Sequence, residues 1–137
     1  MDDLCLQLIK YKKENKELAS YILFESGDEK NYIAQVKTLI ADEFSEINKY
    51  NLYQAKKTIR KILRIANKYA KYSGNVQTHI ELLIYFCESL KSSGIKMNHS
   101  VAITKIYASQ VLKIKTLVKT LHEDLQYDYQ LMIDELL

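Results

Sequence analysis

The chain has no proline and no tryptophan, and among its 137 residues there are only three glycines, two cysteines and three histidines. Without proline, and with so few glycines, almost nothing forbids helix along most of the length. Cys5 and Cys87 stand far apart and in no metal-binding or redox spacing, which argues against a disulfide framework and predicts reduced thiols. The longest unbroken apolar run is Leu82 to Cys87, far too short to span a bilayer. Met1-Asp2-Asp3 is acidic, whereas a secretory signal needs a basic start followed by an apolar stretch, so a cytoplasmic protein is expected.

A hydrophobic content of 47% and a charged content of 27% are those of a folded globular chain. The length suits one domain with its own core over 1–137. Against this background the glycines act as punctuation. Gly27, Gly74 and Gly94 each close an apolar-periodic segment as a helix C-cap does, and the polar stretch Lys49-Tyr50-Asn51 supplies a fourth break. Five helices are therefore expected, at about 3–26, 29–48, 52–73, 76–92 and 100–136.

Each segment carries a stripe at helical spacing. The first has Leu4, Leu8, Tyr11, Leu18 and Ile22; the second Ile33, Val36, Ile40, Phe44 and Ile47; the third Leu52, Ala55, Ile59, Ile62, Ala66 and Ala70. The fourth has Val76, Ile80, Leu83, Cys87 and Leu90 on one side and Leu82, Ile84, Tyr85 and Phe86 around the rest, which predicts the most buried helix. Ser26 with Glu29 reads as a capping box, and Asn51, Asn75 and Ser100 are candidate N-caps.

Short connections between helices of similar length predict an all-α, antiparallel up-and-down bundle of about five helices with a long last helix. Breaks every 20 to 24 residues also suit a short helical-repeat superhelix, although no side-chain self-similarity accompanies that period. An unbroken last helix of 37 residues would reach about 55 Å, too long to pack on the same bundle. Either it breaks near His122-Glu123-Asp124, or its distal half projects with Leu125, Tyr129, Met132 and Leu136 as an exposed strip. Such a strip would seek the basic segment of a second copy.

The patterns that carry chemistry are absent. The di-iron pattern Glu-x-x-His would need Glu three residues before His79, His99 or His122, where Val76, Lys96 and Lys119 stand. His122-Glu123 opens the zincin pattern, but Gln126 occupies its final histidine position. No Gly-rich phosphate loop and no nucleophile elbow occur. His79 and Cys87 share a helical face but are about 12 Å apart in rise, beyond hydrogen-bond reach. His122, Glu123, Asp124 and Asp128 could in principle hold a divalent ion, although carboxylates at such spacing are more often a solvated face. No catalytic residue, cofactor site, metal site or small-molecule substrate is inferred.

Charge is the most informative feature. Residues 1–46 carry a net charge of −4, 47–80 carry +8 with no acidic residue, 81–122 carry +4, and 123–137 carry −5. In the segment 52–73, Lys56, Lys57, Arg60, Lys61, Arg64, Lys68 and Lys71 fall within one arc of about 140°, opposite the apolar stripe. Like charges on a rigid rod repel, at a few tenths of a kcal/mol for each i, i+4 pair, so an anionic neighbour is expected. Three could serve. One is internal, either Asp42, Glu43 and Glu46 or the acidic tail; another is a partner protein; the third is nucleic acid. Tyr53 and Tyr72 lie near the basic side and could stack on bases, but no recognised nucleic-acid-binding signature is present.

The stretches Asn51-Leu52-Tyr53-Gln54-Ala55-Lys56-Lys57-Thr58-Ile59-Arg60-Lys61-Ile62-Leu63-Arg64, Glu81-Leu82-Leu83-Ile84-Tyr85-Phe86-Cys87 and Leu121-His122-Glu123-Asp124-Leu125-Gln126-Tyr127-Asp128-Tyr129 resemble those of uncharacterised bacterial helical proteins. That resemblance implies a bacterial cytosolic origin and transfers no functional residue. The expectation is a non-enzymatic helical protein-protein interaction or scaffold protein, binding another protein or a second copy of itself through the seven basic residues. Nucleic-acid binding through the same face is the alternative.

Overall fold

The computed structural model describes residues 29–137 and is all-α. Five helices occur among these residues: α1 (Glu29–Ser45), α2 (Leu52–Ser73), α3 (Val76–Ser92), α4 (Val101–Val118) and α5 (Glu123–Leu136), with one 3₁₀ turn at Met97–His99. The expected helix at 3–26, together with Cys5, Gly27 and the capping residue Ser26, lies outside the described residues.

Local chemistry sets the boundaries. Asn51 accepts a hydrogen bond from the Gln54 amide, Asn75 from the Gln77 and Thr78 amides, and Ser100 from the Ile103 amide, so all three expected N-caps satisfy otherwise orphaned donors. Gly74 ends α2 in the left-handed region at φ 68°, where a side chain would be strained, and its amide donates to the Ala70 carbonyl. α1 stops at Ser45 rather than near residue 48, because Asn48 turns its carboxamide oxygen to the amides of Tyr50 and Asn51.

Successive helices run up and down. Tyr32, early in α1, donates to the carbonyl of Tyr69, late in α2, while Asn67 of α2 meets His79 near the start of α3. The odd helices are parallel to one another, as the tilted ring pair Phe44–Phe86 and the bond from Lys91 to the Glu135 carbonyl show. α3 packs on all four other helices and buries Thr78, Ile80, Leu82, Leu83, Ile84, Phe86, Cys87 and Leu90, in agreement with its nearly continuous apolar sequence. α1 and α2 each bury one stripe: Tyr32, Val36, Ile40 and Phe44, and Ala55, Ile59, Ile62, Ala66 and Ala70. The start of α1 is tied to the α2–α3 turn through Glu29, whose carboxylate accepts from Thr78 Oγ1 at 2.6 Å and from the Ser73 hydroxyl.

The long last helix is corrected by the structure. Residues 119–122 interrupt it, and α4 and α5 form a hairpin. No proline or glycine announces this break; side chains make it. His122 is extended at ψ 148° and caps the Asp124 amide, and Gln126 Nε2 reaches back to the Leu121 carbonyl at 2.6 Å. Glu123 and Asp124 occupy the first turn of α5, where the helix dipole favours carboxylates. The returning helix buries Tyr129, Ile133 and Leu136, and Tyr107 Oη donates to the Leu136 carbonyl at 2.6 Å. Of the four residues expected to project as a strip, only Met132 stays exposed, so dimerisation through a protruding end loses its premise.

Candidate functional site

α2 has no acidic residue, and neither has α4. Packing brings these two helices side by side and parallel, as the bond from Lys113, late in α4, to Asn67 Oδ1, late in α2, shows at 3.3 Å. An open groove runs along this side of α2 and reaches α4 over part of its length. One stretch, of about 550 Å³, is lined by Lys57, Arg60, Leu63, Arg64 and Asn67. The adjoining stretch, of about 580 Å³, shares Arg60 and Leu63 and adds Val101, Ala102, Lys105, Ile106, Ser109 and Gln110 from α4.

The groove therefore has a composite character. Leu63, Ala102 and Ile106 give it a half-buried aliphatic floor, and Val101 stands 72% exposed at one end. Lys57, Arg60 and Arg64 line it from α2 and Lys105 from α4, while Lys113 lies beyond the lining and bonds Asn67; all five are exposed and none is within ion-pair distance of a carboxylate among the described residues. Gln110 Oε1 is buried in the groove without a hydrogen-bond partner. An unpaired buried acceptor has lost water and gained nothing, so the groove favours an occupant that brings a donor.

Packing divides the seven basic residues singled out from the sequence. Lys61 turns toward α1, where Glu43 Oε2 lies 3.2 Å from its ammonium. Lys56 and Lys57 sit over the Tyr53 ring at 5.2 and 4.6 Å. Lys68 is half-buried and does not line the groove, and Lys71 is exposed near the far end. Only Lys57, Arg60 and Arg64 of the seven line the groove. Lys105 and Lys113 were missed by sequence reasoning; the signal available was the acid-free run from Ser89 to His122.

A smaller pocket of about 330 Å³ lies where α2 and α4 both begin, lined by Lys49, Tyr50, Leu52, Gly94, Lys96 and His99. Gly94 is left-handed at φ 85°, and a Cβ there would lie 3.3 Å from Lys49 Cδ.

Two groups weighed for chemistry occupy inert settings. Cys87 is fully buried, and desolvation with Glu88 beside it pushes the thiol up to about 12, which keeps it protonated and unreactive. His79 Nε2 lies 2.9 Å from Asn67 Oδ1, and burial together with nearby Lys113 lowers its pKa. His122 and Asp124 approach to 3.7 Å but are open to solvent, and no cluster of three or more His, Cys, Asp or Glu suited to a metal occurs among the described residues. No described helix is long and apolar enough to cross a membrane. Comparison of the chain with protein-family models, curated proteins and solved structures finds no significant match, so no residue role is transferred from elsewhere.

Proposed function

We propose that this chain is a non-enzymatic helical interaction domain of the cytoplasm, whose α2/α4 groove takes an acidic amphipathic helix from a protein partner. The observation that carries this reading is an aliphatic floor flanked by Lys57, Arg60 and Arg64 of α2 and Lys105 of α4, on helices that hold no acidic residue. Helix-in-groove recognition needs both parts: apolar anchors at i, i+3 and i+4 fill the floor, while flanking carboxylates set orientation and speed encounter. No cofactor or small substrate is required.

Nucleic acid is the second reading, favoured by Tyr50, which is 94% exposed beside Lys49, Lys96 and His99. Among the described residues the groove offers bases no aromatic platform, and Tyr53 is already engaged by two lysines.

A designed acidic amphipathic helix and a mixed-sequence single-stranded RNA distinguish the two in parallel anisotropy titrations. The peptide is expected to bind, and Arg60→Glu with Lys105→Glu to weaken it by about tenfold or more, the equivalent of about 1.4 kcal/mol. Equal binding by wild type and variant removes the groove from the reading. Tight RNA binding with a steep salt dependence, and no peptide binding, replaces it with the second.

A further inference from the structure

The outward face of α5 is the complement of the α2/α4 groove. Tyr129, Ile133 and Leu136 turn inward, which leaves Tyr127 and Leu131, one turn apart, at the centre of the opposite face, 69% and 53% exposed. Around this ridge stand Glu123, Asp124, Asp128, Asp134 and Glu135, all exposed and none ion-paired with a lysine or arginine among the described residues. At 100° per residue, all five fall within an arc of about 140° that has the ridge in its middle.

The match is one of charge, shape and length. Five carboxylates flank an apolar ridge on α5, and four cations, Lys57, Arg60, Arg64 and Lys105, flank an apolar floor in the groove. Glu123 to Glu135 spans about 18 Å of helix, and the groove from Lys57 to Asn67 about 15 Å. Tyr127, in the ridge, carries a hydroxyl donor of the kind that the buried Gln110 Oε1 lacks. The two surfaces cannot meet within one chain, because α5 is held against α3 and α4 by its inward face.

We infer that the occupant of the groove is α5 of a second copy of this chain, each copy placing its α5 in the other's α2/α4 groove. Both surfaces exist on every chain, so reciprocal exchange closes the pair about a two-fold axis. This rests on the groove reading above and adds the identity of the partner. Unlike a projecting tail, the arrangement uses α5 as it is folded onto its own core.

Sedimentation velocity on the full chain tests it by charge exchange. At about 100 μM protein and low salt, where screening is weakest, wild type is expected to be dimeric and to dissociate as salt is raised. A groove variant, Arg60→Glu with Lys105→Glu, and a ridge variant, Asp124→Lys with Asp128→Lys, should each be monomeric. Mixed in equal amounts they should dimerise again, because both contacts between unlike chains then pair opposite charges. Circular dichroism checks that each is folded, and the milder Arg60→Gln with Lys105→Gln, expected to weaken association by about tenfold, replaces a groove variant that is not. A monomeric wild type overturns the inference, as does a mixture that stays monomeric or a folded variant that dimerises unchanged. If wild type is monomeric yet binds the designed acidic helix, the groove reading stands and only the choice of partner falls; if neither occurs, both fall.

Discussion

α2 and α3 are neighbours of similar length built on opposite plans. α3 buries residues over about two thirds of its circumference and touches every other described helix. α2 buries a single stripe of Ala55, Ile59, Ile62, Ala66 and Ala70, and carries seven lysines and arginines on the opposite side. The difference separates two tasks. A helix largely enclosed by others keeps little face for recognition, so most of its side chains answer to packing. A one-stripe helix keeps a face whose composition folding does not dictate, and a solvated face of like charges is weakly unfavourable for stability by itself. Binding is therefore read from α2 and stability from α3.

The largest effect should come from the enclosed helix. Leu83 is fully buried, and Leu83→Ala is expected to destabilise by about 2–5 kcal/mol in urea melts, through lost transfer energy and the cavity left behind. Leu63, half-buried in the groove floor of α2, should lose well under half of that as Leu63→Ala, because solvent already reaches it. Similar losses at the two positions would break the contrast.

Titration sharpens it next. In α3, the Cys87 thiol is raised from 9.0 to about 12, and in α5 the Tyr129 phenol is raised from 10.0 to about 12, by burial first and then by Glu81. Both groups are favoured in their protonated, neutral form, so their contributions are complete below pH 9 and are lost as pH rises toward about 12. Cys87→Ala should remove part of this alkaline decline. His79 behaves in the opposite sense. Burial and Lys113 hold it below its ordinary 6.5, so its contribution is complete above that value and falls as the solution is acidified through the lowered pKa. His79→Gln should flatten the acid limb while leaving the alkaline one unchanged. Chemical denaturation at a series of pH values reads both.

The smallest effect belongs to the charged face. Reversing Lys57, Lys61, Arg64 and Lys68 to Glu should change stability by within about 0.5 kcal/mol at each site. Lys61 should cost more than Lys57 or Arg64, since Glu43 lies at ion-pair distance from it, in a half-exposed pair worth about 0–1 kcal/mol. The same variant should lose most of its groove binding. A fall in Tm of more than about ten degrees would show that the polar face of α2 is tied into internal packing much as α3 is.

Much of this was legible in the residues. The Asn51, Asn75 and Ser100 caps, the Gly74 stop and most of the stripes from α1 to α3 appear as the pattern predicts; Val76, at the first position of α3, is exposed instead, and Tyr32 is buried where the stripe predicts Ile33, with Ile33 half-buried. The break between α4 and α5 was legible only as a length problem, because His122 and Gln126 are not conventional helix stops and act through specific side-chain bonds. The candidate site was half legible. Lys57, Arg60 and Arg64 belong to the expected arc, whereas Lys105 and Lys113 join it from a helix whose own pattern marks no basic stripe.

What the sequence by itself determined is thus the local layer: helix everywhere between caps, one core face for each outer helix, and an acid-free run feeding α2. These follow from interactions within about four residues along the chain, and such neighbours are fixed by the order of the amino acids. Only the tertiary structure decided which flank of α2 is neutralised and which is open. Lys61 meets Glu43 across 18 residues, while Asn67 meets Lys113 across 46. Such pairings depend on how whole helices pack about α3, where apolar volume and crossing geometry choose the neighbours and the surface charges follow.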